Sequence, residues 1–389
     1  MSTISTDIIN HKKIQSLNAL RFFMILIIVI KHFNLDFLTG FQKLLYTPFC
    51  VLTPFAVSFF FILSGFGMML SNIQKDKSFK QPIPSLKQCF TYGINHVKNI
   101  YPIYIATIVL GLLFRIFTIL YSNDYSFMLF FKEVVRFTIN LFLLQSLTGM
   151  TYFTHAYNGV SWFLSSLFCI YLISPFLIYF FRKISKSIYI NIISILFNII
   201  LLTIIALIGE YIESYVEKLS LTYKFIPSIK SFVYVSPFSR VFYVMTGMNI
   251  AIIFERIKTN KLLEKLNFTL LELIVLIFTI TYYTCIYTLP INNNVIHIAR
   301  NYFSDIVLTS IFIFIFAFDR GNFSILLSKT LPQILGNMSM YIFLIHFILF
   351  ILVCNFAQSN IENFLYDLLA FILTLLLSYF LYRHKRINK

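Results

Sequence analysis

Long apolar runs recur from one end of the chain to the other, and short polar stretches separate them. Each run has about 20 residues, the length that an α-helix needs to cross the hydrocarbon core of a bilayer. The pattern predicts an all-α polytopic membrane helix bundle with about ten spans. These spans are expected near residues 17–34, 49–71, 99–121, 161–181, 188–210, 237–255, 266–289, 300–318, 331–354 and 362–382. The pattern marks no separate soluble domain, so residues 1–389 are expected to form a single integral-membrane domain.

One further segment, 127–147, is ambiguous. It reads FMLFFKEVVRFTINLFLLQSL, which is apolar enough for a span but carries Lys132, Glu133 and Arg136 in its first half. Loops that remain in the cytoplasm are enriched in lysine and arginine. If this segment does not cross the membrane, every later basic cluster falls on the same side as the lysine-rich loop 72–98. We therefore predict an interfacial or re-entrant segment here, with both termini in the cytoplasm.

Composition excludes several classes of protein. Hydrophobic residues make up 59% of the chain and charged residues only 12%, which does not suit a soluble domain. The net charge of +16 would suit a nucleic-acid-binding protein, but the basic residues cluster in short loops between spans. Membrane orientation explains them better, so the bilayer is an expected partner and nucleic acid is not. The five cysteines show no metal-ligand spacing and predict neither a disulfide framework nor a metal site.

The first predicted span, LRFFMILIIVIKHF at 20–33, carries Arg21 and His32. Eleven residues along an α-helix turn about 1100°, so the two side chains share a face and lie about 16 Å apart along the axis. Ionisable groups inside a span are costly and often mark a functional site. Histidine is a general base near neutral pH, and arginine binds phosphate. In the structural alternative, Arg21 reaches the lipid headgroups and His32 is a hydrogen-bonded histidine of the bundle or its interface.

Further short motifs follow this pair along the chain. They are FFILSG at 60–65, IYPIY at 100–104, WFLS at 162–165, YLISP at 171–175, Arg240 followed by Gly247, and LGNMSMYIFLIH at 335–346. By itself, the small pair Ser64 and Gly65 is more typical of close helix packing. Taken together and in this order, the motifs resemble those of the acyltransferase 3 family. Its members are integral-membrane enzymes that O-acylate cell-surface polysaccharides and related glycans.

The resemblance implies an acyl-CoA donor, usually acetyl-CoA, that is reached from the cytoplasm. It also implies that the acceptor is a hydroxyl of a surface polysaccharide or of a lipid-linked sugar. His32 would be the catalytic histidine, and Arg21 would position the donor or hold the charge of the site. Ser64 and Lys98 are further candidates for donor binding. The family commonly has an arginine pair just before IYPIY, whereas this chain keeps only Lys98 there, with His96 nearby.

Four other residues are candidates for binding the acceptor or lining a cavity: His346, Arg240, Asp305 and Trp162. His346 is expected at a depth similar to that of His32. Asp305 is a candidate for orienting one of the two histidines, as an acid does in a catalytic triad. Structural alternatives stay open for the three ionisable residues: a hydrogen-bonded histidine for His346, an interfacial anchor for Arg240, and an ion pair for Asp305.

The leading hypothesis is therefore a multi-pass acyltransferase of the bacterial cytoplasmic membrane. No permanently bound cofactor is expected, because the acyl-CoA is a substrate. One alternative is a flippase or transporter for a glycan or a small molecule, although the paired broken helices typical of transporters are missing. The other is a non-catalytic partner of a polysaccharide synthase. Contact with the polysaccharide-synthesis machinery is compatible with the enzyme as well.

Overall fold

The computed structural model describes residues 14–33, 40–76, 81–122, 126–218, 229–288, 302–354 and 359–387. Over these ranges the chain is helical and contains no strand, which confirms the predicted all-α class. The helices, numbered in chain order, are α1 (Gln15–Lys31), α2 (Gly40–Val51), α3 (Thr53–Lys75), α4 (Leu86–Val97), α5 (Tyr101–Tyr121), α6 (Phe127–Leu141), α7 (Thr151–Thr154), α8 (Trp162–Ile184), α9 (Ile188–Lys218), α10 (Ile229–Val235), α11 (Pro237–Ile257), α12 (Lys261–Glu264), α13 (Phe268–Thr288), α14 (Ser304–Phe316), α15 (Asn322–Leu327), α16 (Thr330–Cys354) and α17 (Asn360–Ile387).

Within the described ranges, eight helical stretches are long and apolar enough to cross a membrane. They cover Tyr46–Lys75, Tyr101–Tyr121, Trp162–Ile184, Ile188–Glu213, Ser231–Ile257, Phe268–Cys285, Thr330–Val353 and Glu362–Ile387. The first and eighth predicted spans correspond to α1 and α14, which are shorter, with 17 and 13 residues. The multi-pass class is thus supported. The exact number of spans and the cytoplasmic position of the termini stay predictions.

Helix α6 occupies the ambiguous segment and is tied to its neighbours by a buried carboxylate. With 15 residues it is about 22 Å long, less than the hydrocarbon core of about 30 Å. Glu133 forms ion pairs with Arg115 (3.3 Å) and Arg136 (3.4 Å). The Tyr157 hydroxyl also donates to Glu133 Oε2, at 2.8 Å. These contacts join α6 to α5 and to the loop before α8. The position of α6 relative to the bilayer stays a prediction.

Among the described helices, α3 and α11 form the most extensive contact, and two glycines allow their close approach. A Cβ atom at Gly65 would overlap the carbonyl oxygen of Val244, and one at Gly247 would overlap the carbonyl oxygen of Ile62. Small residues let the backbones of membrane helices approach closely. Gly65 of the FFILSG motif is therefore a packing residue, as the pattern indicated.

A distant carboxylate caps the N-terminus of α1. The first N–H groups of a helix lack partners within the helix. The side chain of Asp319 accepts hydrogen bonds from the backbone N–H groups of Gln15 and Ser16, both at 2.9 Å. On its other side α1 packs against α16, where Gly336 allows close approach to the Asn18 carbonyl. These contacts fix the rotation of α1 and so determine where Arg21 and His32 point.

Candidate active site

The side chain of Arg21 lines a cavity of about 400 Å³ between α1, α3, α4, α8 and α16, which we call the Arg21 cavity. Lys75, at the end of α3, and His96, on α4, line the same cavity. No carboxylate is among the described residues that line it. Two fixed positive charges without a compensating acid give the cavity a positive potential, which suits a ligand that carries several phosphates.

Arg21 is half-buried, and its guanidinium lies close to the phenol of Tyr171. Within the described part of the chain the guanidinium has neither a hydrogen bond nor an ion pair. Taking a cation out of water without a partner costs several kcal/mol. Arg21 lines a cavity between helices, and the alternative in which it reaches the headgroups stays open. An unpaired guanidinium in this position is suited to bind an anion.

The other predicted donor residues lie in two different places. Ser64 lines the Arg21 cavity, and its Oγ donates to the Phe60 carbonyl at 2.7 Å. Lys98 is exposed just after α4, where its Nζ donates to Asn95 Oδ1 at 3.0 Å. It is not among the residues that line the Arg21 cavity. Lys75, rather than Lys98, provides the second positive charge of this cavity, so a role of Lys98 in donor binding stays a prediction.

His96 is held between two aromatic rings at the edge of the Arg21 cavity. Its ring centroid lies 4.1 Å from that of Tyr92 and 4.7 Å from that of Tyr171. Its Nδ1 donates to the Tyr92 carbonyl at 2.8 Å. Burial lowers the pKa of His96 below its ordinary value, and the positive charge of Lys75 acts in the same direction. His96 is therefore neutral at pH 7 and offers a polar ring atom rather than a charge.

His32 follows directly after the last residue of α1 and lines a second, smaller cavity of about 180 Å³, the His32 cavity. Most of its walls are apolar, and its polar groups come from Lys31, His155, Tyr234 and a few hydroxyl side chains. The imidazole of His32 is exposed at the edge of this cavity. Burial lowers the pKa of His155, so this second ring is uncharged near pH 7. The cavity thus brings together two imidazoles in apolar surroundings.

Three side chains line both cavities: Phe60 on α3, Phe163 on α8 and Met340 on α16. They form a thin apolar wall between the side that carries Arg21 and the side that carries His32. The rings of Phe60 and Phe163 are in edge contact, with centroids 6.0 Å apart. Arg21 and His32, predicted to share a face of the first span, therefore line two adjoining cavities between helices.

Of the four candidates for acceptor binding, Trp162 lies in the wall of the His32 cavity and His346 lies behind His32. The ring centroids of His32 and His346 are 5.4 Å apart. The two histidines, which were predicted at similar depth, are therefore neighbours. His346 is fully buried on α16. His346 is not among the residues that line the His32 cavity.

Arg240 and Asp305 belong to a buried cluster behind the His32 cavity. Arg240 is only 2% exposed, its Nε donates to the Tyr234 carbonyl at 2.7 Å, and its guanidinium lies 4.5 Å from the Tyr234 ring centroid. It is thus enclosed by protein rather than placed at an interface. Asp305 accepts a hydrogen bond from the Tyr283 hydroxyl and lies near Arg240. These contacts are with neither His32 nor His346, so they give no support to an orienting role for Asp305.

The cavity residues that sequence reasoning missed include Lys75, Tyr171, His155 and Tyr234. Lys75 and Tyr171 were read only as a topology signal and as part of the YLISP motif. His155 lies in the loop before α8, outside every span and motif. For His155 the only available signal was the residue type, because a histidine in a short loop next to a candidate site can bind a substrate or transfer a proton. Helix packing decides which loop residues reach a cavity, so spacing along the chain could not identify them.

Comparison with known families matches the geometry. A family model described as an acyltransferase domain, that of the acyltransferase 3 family, matches residues 14–383. The chain belongs to the acyltransferase 3 family. The match begins just before α1 and ends within α17, so it includes every residue of both cavities. This membership makes the chain a membrane acyltransferase. Neither a curated protein nor a solved structure matches the chain.

Proposed function

We propose that this acyltransferase moves an acyl group, most simply acetyl, from cytoplasmic acyl-CoA to a hydroxyl of a surface polysaccharide or a lipid-linked sugar. One observation supports the proposal above all others. An unpaired guanidinium on α1 and an imidazole directly after that helix line adjoining cavities that share Phe60, Phe163 and Met340. A two-substrate transfer across a membrane needs this separation of an anion-binding side from a general base.

The donor enters the Arg21 cavity in this proposal. Arg21 and Lys75 bind its phosphates, because no carboxylate among the described lining residues competes for them. The thioester then passes between Phe60, Phe163 and Met340 and reaches the His32 cavity. The shared apolar wall excludes water from the thioester, which limits hydrolysis of the acyl group.

His32 acts as the general base. It takes the proton from the acceptor hydroxyl as that oxygen attacks the thioester carbonyl carbon. The tetrahedral intermediate collapses with cleavage of the carbon–sulfur bond. The CoA thiolate then takes the proton from the His32 imidazolium, so the base is regenerated. A cavity of about 180 Å³ with mostly apolar walls favours a small, uncharged acyl group such as acetyl.

The acceptor side belongs to the His32 cavity. His155 and Tyr234 line it and provide hydrogen-bonding groups for sugar hydroxyls. A bacterial cytoplasmic membrane that exports glycans supplies both substrates, since acyl-CoA lies on one side and the glycan on the other. The enzyme would work next to the polysaccharide-synthesis machinery there.

The direct test uses the purified full chain in lipid nanodiscs with acetyl-CoA and isolated surface glycan. Release of free CoA thiol should depend on added acceptor and should be accompanied by an ester-linked acetyl group on the glycan, detected by mass spectrometry. A transporter of the same glycan would move it between vesicle compartments without thiol release. Transport without release, or no release with any glycan class, contradicts the proposal.

Gly67 offers a way to fill the donor cavity without disturbing the fold. It lines the Arg21 cavity, and a Cβ atom there would have no heavy atom within 4 Å. We expect Gly67→Leu to raise the KM for acyl-CoA about 10-fold or more, equivalent to a loss of about 1.4 kcal/mol of binding. Thermal stability should be unchanged or higher, because leucine favours a helix by up to about 1 kcal/mol over glycine.

The control for Gly67→Leu is Gly65→Ala, two residues earlier in α3. A methyl group there would overlap the Val244 carbonyl, so this variant should lower thermal stability in detergent. Donor KM measured at a range of acyl-CoA concentrations separates the two effects. An unchanged KM in Gly67→Leu would mean that the donor does not occupy the Arg21 cavity.

A further inference from the structure

A hydrogen bond to the backbone shows which ring nitrogen of His346 carries the proton. Its Nδ1 lies 3.0 Å from the carbonyl oxygen of Ile342, one turn earlier in α16. A carbonyl oxygen can only accept a hydrogen bond, so Nδ1 carries the proton. In the neutral imidazole the other ring nitrogen, Nε2, is then a bare acceptor.

This acceptor is buried and unsatisfied. His346 is fully buried, and Nε2 has no hydrogen-bond partner among the described residues. Burying a polar atom without a partner costs about 1–3 kcal/mol. The rings of Phe343, Phe347 and Phe350 surround His346 and offer no donor. His32 is the neighbouring ring that carries a donor, at a centroid distance of 5.4 Å.

We propose that His346 is the positioning residue of His32: its Nε2 accepts the N–H of the His32 imidazole when the substrates are bound. With the ring centroids 5.4 Å apart, reorientation of the exposed His32 ring can bring the two nitrogens to hydrogen-bond distance. The bond fixes the tautomer of His32, so that its remaining nitrogen presents a lone pair to the His32 cavity. The inference rests on the proposed function of His32 as general base, and it assigns to His346 the orienting role for which Asp305 was one candidate.

The proton balance is simple. His32 accepts the hydroxyl proton on its free nitrogen and becomes an imidazolium, while its other N–H keeps donating to His346. His346 stays neutral throughout, and its own Nδ1–H keeps donating to the Ile342 carbonyl. The uncharged His346 acceptor therefore orients His32 without competing for the transferred proton. Lys31 and His155 also face His32, but they line the cavity on its substrate side.

The test compares His346→Leu with His346→Gln. Leucine fills the volume without an acceptor, whereas the Oε1 atom of glutamine can replace Nε2. We expect kcat of acyl transfer to fall about 10- to 100-fold in His346→Leu, similar to the loss of partners that orient metal-ligating histidines, with the KM for acyl-CoA unchanged. Glutamine should restore at least part of this loss. The packing control is Phe350→Leu, which alters the surroundings of His346 without removing a polar group.

A second readout does not need acyl transfer. Ring ¹⁵N chemical shifts of histidine distinguish the two neutral tautomers, and the signal that disappears in His32→Gln identifies His32. We expect a single tautomer in the unchanged protein with a non-hydrolysable acyl-CoA analogue bound, and a mixture in His346→Leu. Equal tautomer populations in both would overturn the positioning role. A single tautomer without any acyl transfer would instead contradict the proposed function and leave the pair intact.

Discussion

Replacing His32 with glutamine should reduce acyl transfer by about 10²- to 10⁴-fold, the usual contribution of a positioned general base. Glutamine is similar in size and keeps a hydrogen-bonding group, but it takes up no proton at neutral pH. The protein should still insert and fold, because the ring lies exposed at the edge of its cavity. Acetyl-CoA binding should be retained, since the proposed phosphate site around Arg21 lies on the far side of the apolar wall.

The matched control for this variant is His155→Gln. His155 lines the same cavity but lies in a loop, and its Nδ1 is in hydrogen-bond contact with the Thr154 hydroxyl at 2.9 Å. We expect it to affect the KM for the glycan more than kcat. Initial rates at saturating donor, with size-exclusion profiles of each purified variant, provide the measurement. Full transfer activity in His32→Gln would remove the basis for the mechanism.

Replacing Arg21 with glutamine should raise the KM for acyl-CoA about 10- to 100-fold. Hydrogen bonds to charged groups are worth about 1.5–3 kcal/mol, which corresponds to a change of this size. Arg21→Lys should restore only part of the affinity, because an ammonium lacks the planar fork that binds a phosphate through two hydrogen bonds. Lys75→Gln should have a smaller effect in the same direction, because Lys75 is an exposed residue at the end of α3.

The design includes one substrate control and one protein control. Acetyl-pantetheine carries the thioester without the phosphates of CoA, so its KM should be nearly the same in Arg21→Gln and in the unchanged protein. Lys186→Gln removes an exposed positive charge outside the Arg21 cavity and should leave the acyl-CoA KM within about twofold. If Arg21→Gln raises the KM for acetyl-pantetheine as much as the KM for acetyl-CoA, Arg21 does not bind phosphate.

The buried cluster of Arg240, Asp305 and Tyr283 illustrates why residue type alone misleads. An arginine and an aspartate inside predicted spans were both reasonable candidates for the substrate site. The structure encloses Arg240 between aromatic rings and hydrogen-bonds Asp305 to Tyr283. Such a cluster supports the wall that contains Trp162 and Tyr234. Sequence does not distinguish a polar residue that faces a cavity from one that lies a layer behind it.

The sequence by itself determined the class of protein and the pair on the first helix. Apolar runs and the spacing of Arg21 and His32 are properties of single segments, and helical geometry converts them directly into spans and faces. The ordered motifs likewise indicated the family that the whole-chain match then established.

Only the tertiary structure decided which residues accompany that pair. It placed Lys75 and Tyr171 with Arg21, His155 with His32, and His346 behind His32. These neighbours come from helices and loops far apart in the chain, and their meeting depends on the rotation and close packing of each helix. Close approaches such as those at Gly65 and Gly336 set that packing, and no local pattern encodes the partner that each glycine will face.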